Sequence, residues 1–174
     1  MPSLKKHLQK HVPRCLAGLA VTKARFPIDE RSDYFAAYAL AQQETKIATA
    51  QVLGYLLGDY NPECQGELDF ISPLRLRWPD GQETLAFDSA VHGYHGELGS
   101  AAKLHGAGPP TTFACPNCKR QEFEVTVQFD YGDAVVDLLD DEPKAPAQDF
   151  FTNILFAGKC CRCGSPTIIL DMDL

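Results

Sequence analysis

Hydrophobic residues at helical spacing characterise the first third of the chain. Apolar residues recur every three or four positions from Leu4 onward, which predicts a helix over about residues 3–26, interrupted at Pro13. A second stretch is rich in alanine, glutamine and leucine, all of which are compatible with a helix. It predicts the longest helix of the protein, over about residues 33–57, with Gly58 placed to cap its C-terminus.

Strict alternation of apolar and polar residues begins later and predicts strands. Residues 74–78 alternate between apolar and charged side chains, and residues 84–88 carry apolar residues at every second position on one face. The segment Pro79-Asp80-Gly81 between them has the composition of a tight turn. Together these segments predict an antiparallel hairpin over about residues 68–90.

The C-terminal third of the chain repeats the strand pattern. Residues 123–131 alternate without a break, and residues 150–157 and 167–170 are further short apolar segments. We expect these three segments to form one sheet. The acidic residues 132–149 include two prolines and predict a mobile or loosely helical loop between the first two strands.

The predicted fold class is therefore α+β, with helices and antiparallel strands followed by a three-stranded sheet. Glycine and proline residues are concentrated just before residue 111, which is the composition of a connector. We expect an N-terminal α+β region over residues 1–108 and a C-terminal module over residues 109–174.

Four of the seven cysteines flank the first two strands of this module as two C-x-x-C pairs. That spacing lets both thiolates of a pair bind the same metal ion. The ambiguous position is Cys161, which stands too close to Cys163 for the usual knuckle turn, so we expect Cys160 to be the ligand. The predicted metal ligands are Cys115, Cys118, Cys160 and Cys163.

These motifs, together with Gly164 after the second pair, resemble the knuckles of the zinc-ribbon superfamily over about the last third of the chain. The resemblance implies one structural zinc ion in a three-stranded zinc-ribbon-like sheet, with no ligand position left for a substrate. Iron bound as in rubredoxin is an alternative. A thioredoxin-type redox pair at Cys115 and Cys118 is disfavoured, because such pairs precede a helix and a strand is predicted here.

Charge is distributed unevenly along a chain whose net charge is −7. Residues 1–28 contain six basic residues and no acid, whereas the rest of the chain is acidic. Proteins that bind nucleic acids neutralise phosphates with lysine and arginine, so the acidic ribbon disfavours that role. An acidic body suits a basic protein partner instead.

No apolar run approaches the roughly 20 residues of a membrane-spanning helix, so we expect no membrane segment. The short apolar run that follows the basic N-terminal residues lacks a convincing cleavage site for a signal peptide. Cysteines arranged for metal binding indicate a reducing compartment. These features favour the cytoplasm.

A second candidate metal site consists of His92, His95 and His105. Histidines at H-x-x-H spacing beside glycines can bind a metal, and Asp88 or Glu97 could complete an open site. No H-E-x-x-H helix or other catalytic signature accompanies them. We therefore expect these histidines to have a structural or partner-contact role.

The predicted function is that of a non-catalytic zinc-binding protein that acts through protein–protein interaction. An adaptor, a regulator and an inhibitor or immunity-like protein with an acidic surface all fit this description. Two alternatives remain open. One is a transcription-related zinc-ribbon protein that binds nucleic acid, and the other is a metal-dependent hydrolase that uses the three histidines.

Overall fold

The computed structural model describes residues 3–24, 26–92 and 104–174. Strands dominate this part of the chain. They are β1 (Leu19–Lys23), β2 (Tyr34–Gln42), β3 (Thr49–Leu56), β4 (Phe70–Arg77), β5 (Glu83–Phe87), β6 (Thr111–Thr112), β7 (Phe123–Tyr131), β8 (Asn153–Cys160) and β9 (Pro166–Asp173).

The helices of the described residues are short. They are α1 (Leu4–Leu8), α2 (Leu57–Tyr60), α3 (Ser89–His92) and α4 (Ala134–Asp141), with single 3₁₀ turns at Arg14–Leu16, Pro62–Cys64 and Ala147–Asp149. None of them combines the length and the apolar character that a membrane crossing requires.

Five strands form a closed, barrel-like ring in the order β3, β4, β9, β8, β7, and β7 returns to β3. Four of these five pairings are antiparallel, whereas β4 and β9 run parallel and pair at Phe70 and Leu170. The ring closes where Ala50 of β3 pairs with Phe123 of β7. The remaining strands extend this ring, with β2 and then β1 beside β7, β5 beside β4 and β6 beside β3.

One hydrophobic cluster draws on strands from both halves of the chain. The ring of Phe113 packs edge-on against Phe70 at 5.2 Å and against Phe123 at 5.5 Å between centroids. On β7 the alternate residues from Phe123 to Tyr131 are all buried, which confirms the predicted alternation. Gln128 and Asp130 on the opposite face are buried as well. The segment that precedes β2 covers Gln128, whose side-chain carbonyl accepts a hydrogen bond from the N–H of Ile28.

The predicted helix over residues 33–57 is wrong, because this stretch forms the β2–β3 hairpin. Alanine, glutamine and leucine favour helices only weakly, and sheet pairing overrides that preference. β2 is bonded on both edges, to β1 and to β7, and β3 pairs with β4 and β6. The predicted helix over residues 3–26 is also wrong beyond α1, since the chain turns at Arg14–Leu16 and then enters β1.

The hairpin predicted over residues 68–90 is confirmed by the antiparallel pairing of β4 with β5. The three C-terminal strands also pair antiparallel, in the order β7, β8, β9. They do not form a sheet of their own, however, because β2 and β3 pair with β7, and β4 pairs with β9. Hydrogen-bonded pairs therefore cross the expected boundary between residues 108 and 109.

Candidate metal centre

The first cysteine pair lies in the turn that leads into β7. The N–H of Lys119 donates to the carbonyl of Cys115 across 2.9 Å, and the N–H of Cys115 donates to the carbonyl of Arg120 across 2.7 Å. Lys119 has a φ of 63°, in the left-handed region, which reverses the chain directly after Cys118. This turn places both thiols where they could bind the same metal ion.

The second pair repeats this geometry in the turn between β8 and β9. The N–H of Gly164 donates to the carbonyl of Cys160 across 2.9 Å, and the N–H of Cys160 donates to the carbonyl of Ser165 across 3.0 Å. Gly164 has a φ of 73° and occupies the position that Lys119 has in the first turn. Glycine adopts this conformation without a Cβ clash, which explains the glycine that follows the second pair.

The register of β7 and β8 brings the two knuckles together. Phe123 at the start of β7 pairs with Cys160 at the end of β8. A side-chain hydrogen bond also joins the turns, since Asn117 Nδ2 donates to Ser165 Oγ across 2.7 Å. The cysteine spacing does not reveal these two polar residues, although Asn117 precedes Cys118 and Ser165 lies two residues after Cys163. Their pairing depends on the register and has no local sequence signal.

Four sulfur atoms converge between the knuckles. Those of Cys115 and Cys163 lie 3.6 Å apart, those of Cys118 and Cys160 lie 3.5 Å apart, and all four lie within 4.8 Å of one another. Ligands about 2.3 Å from a tetrahedral metal are separated by about 3.8 Å. The four cysteines could therefore hold one metal ion, and their predicted clustering is confirmed.

The group is buried on one side and open on the other. Cys115 and Cys160 are buried, Cys118 is half-buried and Cys163 is exposed. Cys161 is exposed and does not belong to the sulfur group. The structure thus brings Cys160, not its neighbour, into the cluster, as the spacing predicts.

The thiols of Cys163 and Cys118 differ in pKa. Hydrogen bonds from the hydroxyl and the backbone N–H of Ser165 lower the pKa of Cys163 to about 6. The backbone N–H of Arg120 lowers the pKa of Cys118, but burial and hydrogen bonds with the other cysteines outweigh it and raise this pKa to about 11. Thiolate is the form that binds metal, so a cation bound here would displace the remaining protons.

Two of the three histidines of the second candidate site converge on Asp88. His105 Nε2 lies 3.0 Å from Asp88 Oδ1, and His92 Nδ1 accepts a hydrogen bond from the Asp88 backbone N–H across 3.1 Å. Burial lowers the pKa of His92, which favours the neutral imidazole. His95 and Glu97 lie outside the described residues.

Within the described ranges, no other group of three or more histidine, cysteine or carboxylate ligands lies as close together as the four cysteines. The second metal site stays a prediction. The redox alternative lacks the setting that it needs, because the residues that follow Cys118 lead into β7 and not into a helix.

No family model matches the chain, and comparisons with curated proteins and with solved structures find no match either. The resemblance to zinc ribbons therefore rests on the two cysteine pairs and on the clustering of their four sulfur atoms.

Proposed function

We propose that the four clustered cysteines bind one zinc ion in a closed structural site, and that the protein is a non-catalytic binding protein of the zinc-ribbon type. The convergence of four sulfur atoms from two matching knuckles is the observation that carries this proposal. Zinc with four thiolates has no open position for a substrate. Iron is the other ion that commonly takes four thiolates. The ion would tie the β6–β7 turn to the β8–β9 turn.

Metal analysis of the purified protein tests this site. We expect one zinc per chain in the wild type and in Cys161→Ser, and loss of that zinc in each serine variant of the four clustered cysteines. Iron would instead give a visible thiolate absorption band. A second equivalent of zinc that persists in the cysteine variants would favour the hydrolase alternative with His92, His95 and His105.

The acidic segment between β7 and β8 supports a role in protein binding. α4 docks its buried Val135 and Leu139 against the core and leaves its acids facing solvent. None of these acids forms a salt bridge among the described residues. The exposed acids are Asp133, Asp137, Asp140, Asp141 and Glu142.

This surface has the charge that a basic protein partner requires. Uncompensated charges of one sign steer an oppositely charged partner and set its orientation. The acids lie on a helix that is anchored in the core, so they present a defined pattern. We therefore infer an adaptor, regulator or inhibitor-like role toward a basic protein, in the cytoplasm.

The triple variant Asp137→Asn, Asp140→Asn, Asp141→Asn tests this surface. A matched control, Asp59→Asn, Glu63→Gln, Glu67→Gln, removes the same charge from exposed residues elsewhere. The partner is first identified with the wild-type protein and then purified. We expect its affinity for the first variant to be at least about tenfold weaker and its affinity for the control to equal that for the wild type. Equal affinity for both variants would exclude α4 as the docking surface.

Basic side chains beside the cysteine cluster favour nucleic-acid binding as a second candidate function. They are exposed, and none of them forms a salt bridge within the part of the chain that the structure describes. These residues are Lys119, Arg120, Lys159 and Arg162. Binding would depend on phosphate neutralisation and would weaken steeply with salt.

The double variant Arg120→Gln, Arg162→Gln tests this second function in a titration with single-stranded RNA or DNA across a range of salt concentrations. Binding through the knuckles predicts a salt slope that falls by about two in the variant. A slope near zero in the wild type would exclude it.

A further inference from the structure

A cleft of about 450 Å³ lies between α1 and the segment that follows α4. Its walls come from the two ends of the chain. The residues of α1 and its C-terminal extension supply one side, and residues 143–148 supply the other. The side chains that define its chemistry are Lys6, His7, Lys10, His11, Lys144 and Gln148.

The lining of this cleft is basic in a protein that is otherwise acidic. Three lysines and two histidines border it, and no aspartate or glutamate does, although the chain as a whole has a net charge of −7. Lys6, Lys10 and Lys144 are exposed and form no salt bridge with any described residue. Like charges brought together without counter-ions repel one another, so an anion bound among them would relieve that repulsion.

The two walls of the cleft are joined to each other and to the core. The His7 ring is buried, and its Nε2 lies 2.7 Å from Gln148 Oε1 on the opposite wall. The rings of His7 and His11 lie 4.3 Å apart between centroids. On the far side, the Tyr131 hydroxyl donates to the Gln148 carbonyl across 2.9 Å. These contacts fix the two walls relative to each other, and the exposed side chains of Lys6, Lys10 and Lys144 extend from those walls.

We propose that this cleft binds a compact, multiply charged oxyanion, namely a di- or triphosphate group. Three lysine ammonium groups supply point charges of the kind that bind phosphates. The exposed carboxylates of Asp140, Asp141 and Glu142 directly precede the segment that carries Lys144. They would repel a long polyanion that runs past the cleft, so a compact phosphate group fits the charges better than a nucleic-acid strand.

Isothermal titration with tripolyphosphate at low ionic strength tests this proposal on the full chain. We expect saturable binding at one site, weakened about three- to fivefold by each of Lys6→Gln, Lys10→Gln and Lys144→Gln, the range of an exposed charge pair. Lys5→Gln is the matched control, because Lys5 also lies on α1 but lines a different cavity. Its affinity for tripolyphosphate should equal that of the wild type.

Further titrations identify the source of the phosphate group. Equal affinity for tripolyphosphate and for a nucleoside triphosphate would show that the phosphates alone are recognised, and tighter binding of the nucleotide would show that base or sugar contributes. Absence of saturable binding or an equal loss in Lys5→Gln would overturn the proposal. So would tighter binding of an oligonucleotide than of tripolyphosphate, if Lys6→Gln, Lys10→Gln and Lys144→Gln weaken that binding.

Discussion

Phe123 of β7 lies opposite Cys160 of β8, and this register position joins the hydrophobic core to the cysteine cluster. Phe123 is fully buried and packs against Phe113, while Cys160 belongs to the sulfur group. A shift of one residue would turn the buried face of β7 outward and would also separate the knuckles. Core packing and ligand geometry therefore depend on the same strand pairing.

Gly158 is closely packed against this core, so Gly158→Ala should destabilise the protein. A Cβ at this position would lie 2.9 Å from Phe123 Cδ1 and 2.9 Å from Ile169 Cδ1. We expect the free energy of unfolding to fall by about 1–3 kcal/mol, measured by urea denaturation. Gly132→Ala is the control, since its Cβ would meet Thr152 Cγ2 at an ordinary 3.5 Å. A Gly158→Ala midpoint equal to that of the wild type would contradict this packing.

Removal of the proposed metal ion should lower stability without unfolding the sheet. The strands that carry the knuckles are bonded to β2, β3 and β4 and share their core, so they do not depend on metal alone. With free zinc at about a hundredfold excess over its Kd, binding contributes about 3 kcal/mol.

A strong chelator should therefore lower the midpoint temperature of thermal unfolding. At temperatures below that midpoint, the far-ultraviolet circular dichroism signal of the strands should persist. Cys161→Ser should respond as the wild type does. Complete loss of strand signal on chelation would instead show that the C-terminal strands fold only with metal, as a small isolated ribbon does.

Replacement of the buried Asp130 by asparagine should stabilise the protein at neutral pH. Asp130 is 3% exposed; its Oδ1 accepts a hydrogen bond from Gln128 Nε2, and its Oδ2 has no partner among the described residues. Burial raises the pKa of Asp130. Asn153, its cross-strand neighbour, also has an unpartnered Oδ1. Asp130→Asn removes a buried charge and adds a donor, which we expect to contribute about 1 kcal/mol.

The pH dependence of this effect has a definite sign. Because the pKa of Asp130 is raised on folding, its carboxylate costs stability at a pH above the folded pKa. The cost decreases as the pH falls through the folded pKa and is gone below the lower pKa of the unfolded state. Urea denaturation should show the advantage of Asp130→Asn at pH 7 and its decrease in acid. Asp140→Asn, at an exposed site, should change stability little. A constant difference across this pH range would rule out the titration of Asp130 as its cause.

Cys15 should report on global unfolding. It is 7% exposed, and burial raises the pKa of its thiol to about 12, so the native protein presents a protected neutral thiol at pH 8. A thiol reagent should modify the exposed Cys161 quickly and Cys15 only as urea unfolds the chain, as peptide mapping by mass spectrometry would show. In Cys161→Ser the labelling of Cys15 should keep the same dependence on urea. Rapid labelling of Cys15 without denaturant would disprove its burial.

The elements that the sequence predicted correctly are those with local signals. Pro79-Asp80-Gly81 supplies the turn of the β4–β5 hairpin, and Gly81 takes a φ of 85° there. The alternation over residues 123–131 shows β7 directly, because one face of that strand packs in the core. In both cases neighbouring residues carry the whole pattern.

The β2–β3 hairpin was missed because two periodicities compete in the same residues. Ala36, Tyr38 and Leu40 are buried at period two, yet the tyrosines and alanines of this stretch also align at helical spacing. The decision between them comes from partners distant in the sequence, since Ala36 pairs with Phe129. The secondary-structure propensities of residues 34–56 do not indicate which strand they pair with.

The basic cleft also depends on residues that are distant in the sequence. Lys6 and Lys144 stand near opposite ends of the chain, and only the docking of α1 beside the segment after α4 puts them around one space. The sequence shows that the N-terminal residues are basic. It does not show that Lys144, which follows a run of acidic residues, lies across the cleft from them.

The four clustered cysteines could be identified from the chain alone as candidate metal ligands, because each C-x-x-C pair is a local motif of four residues. Closure of the sheet could not, because it depends on contacts such as Phe70 with Leu170, whose strands come from different regions of the chain. Side-chain pattern reports which face of a strand is buried, but edge hydrogen bonds are made by backbone groups that nearly every residue has. Tertiary packing therefore determines which strands are neighbours, and it joins the cysteine cluster to a larger core.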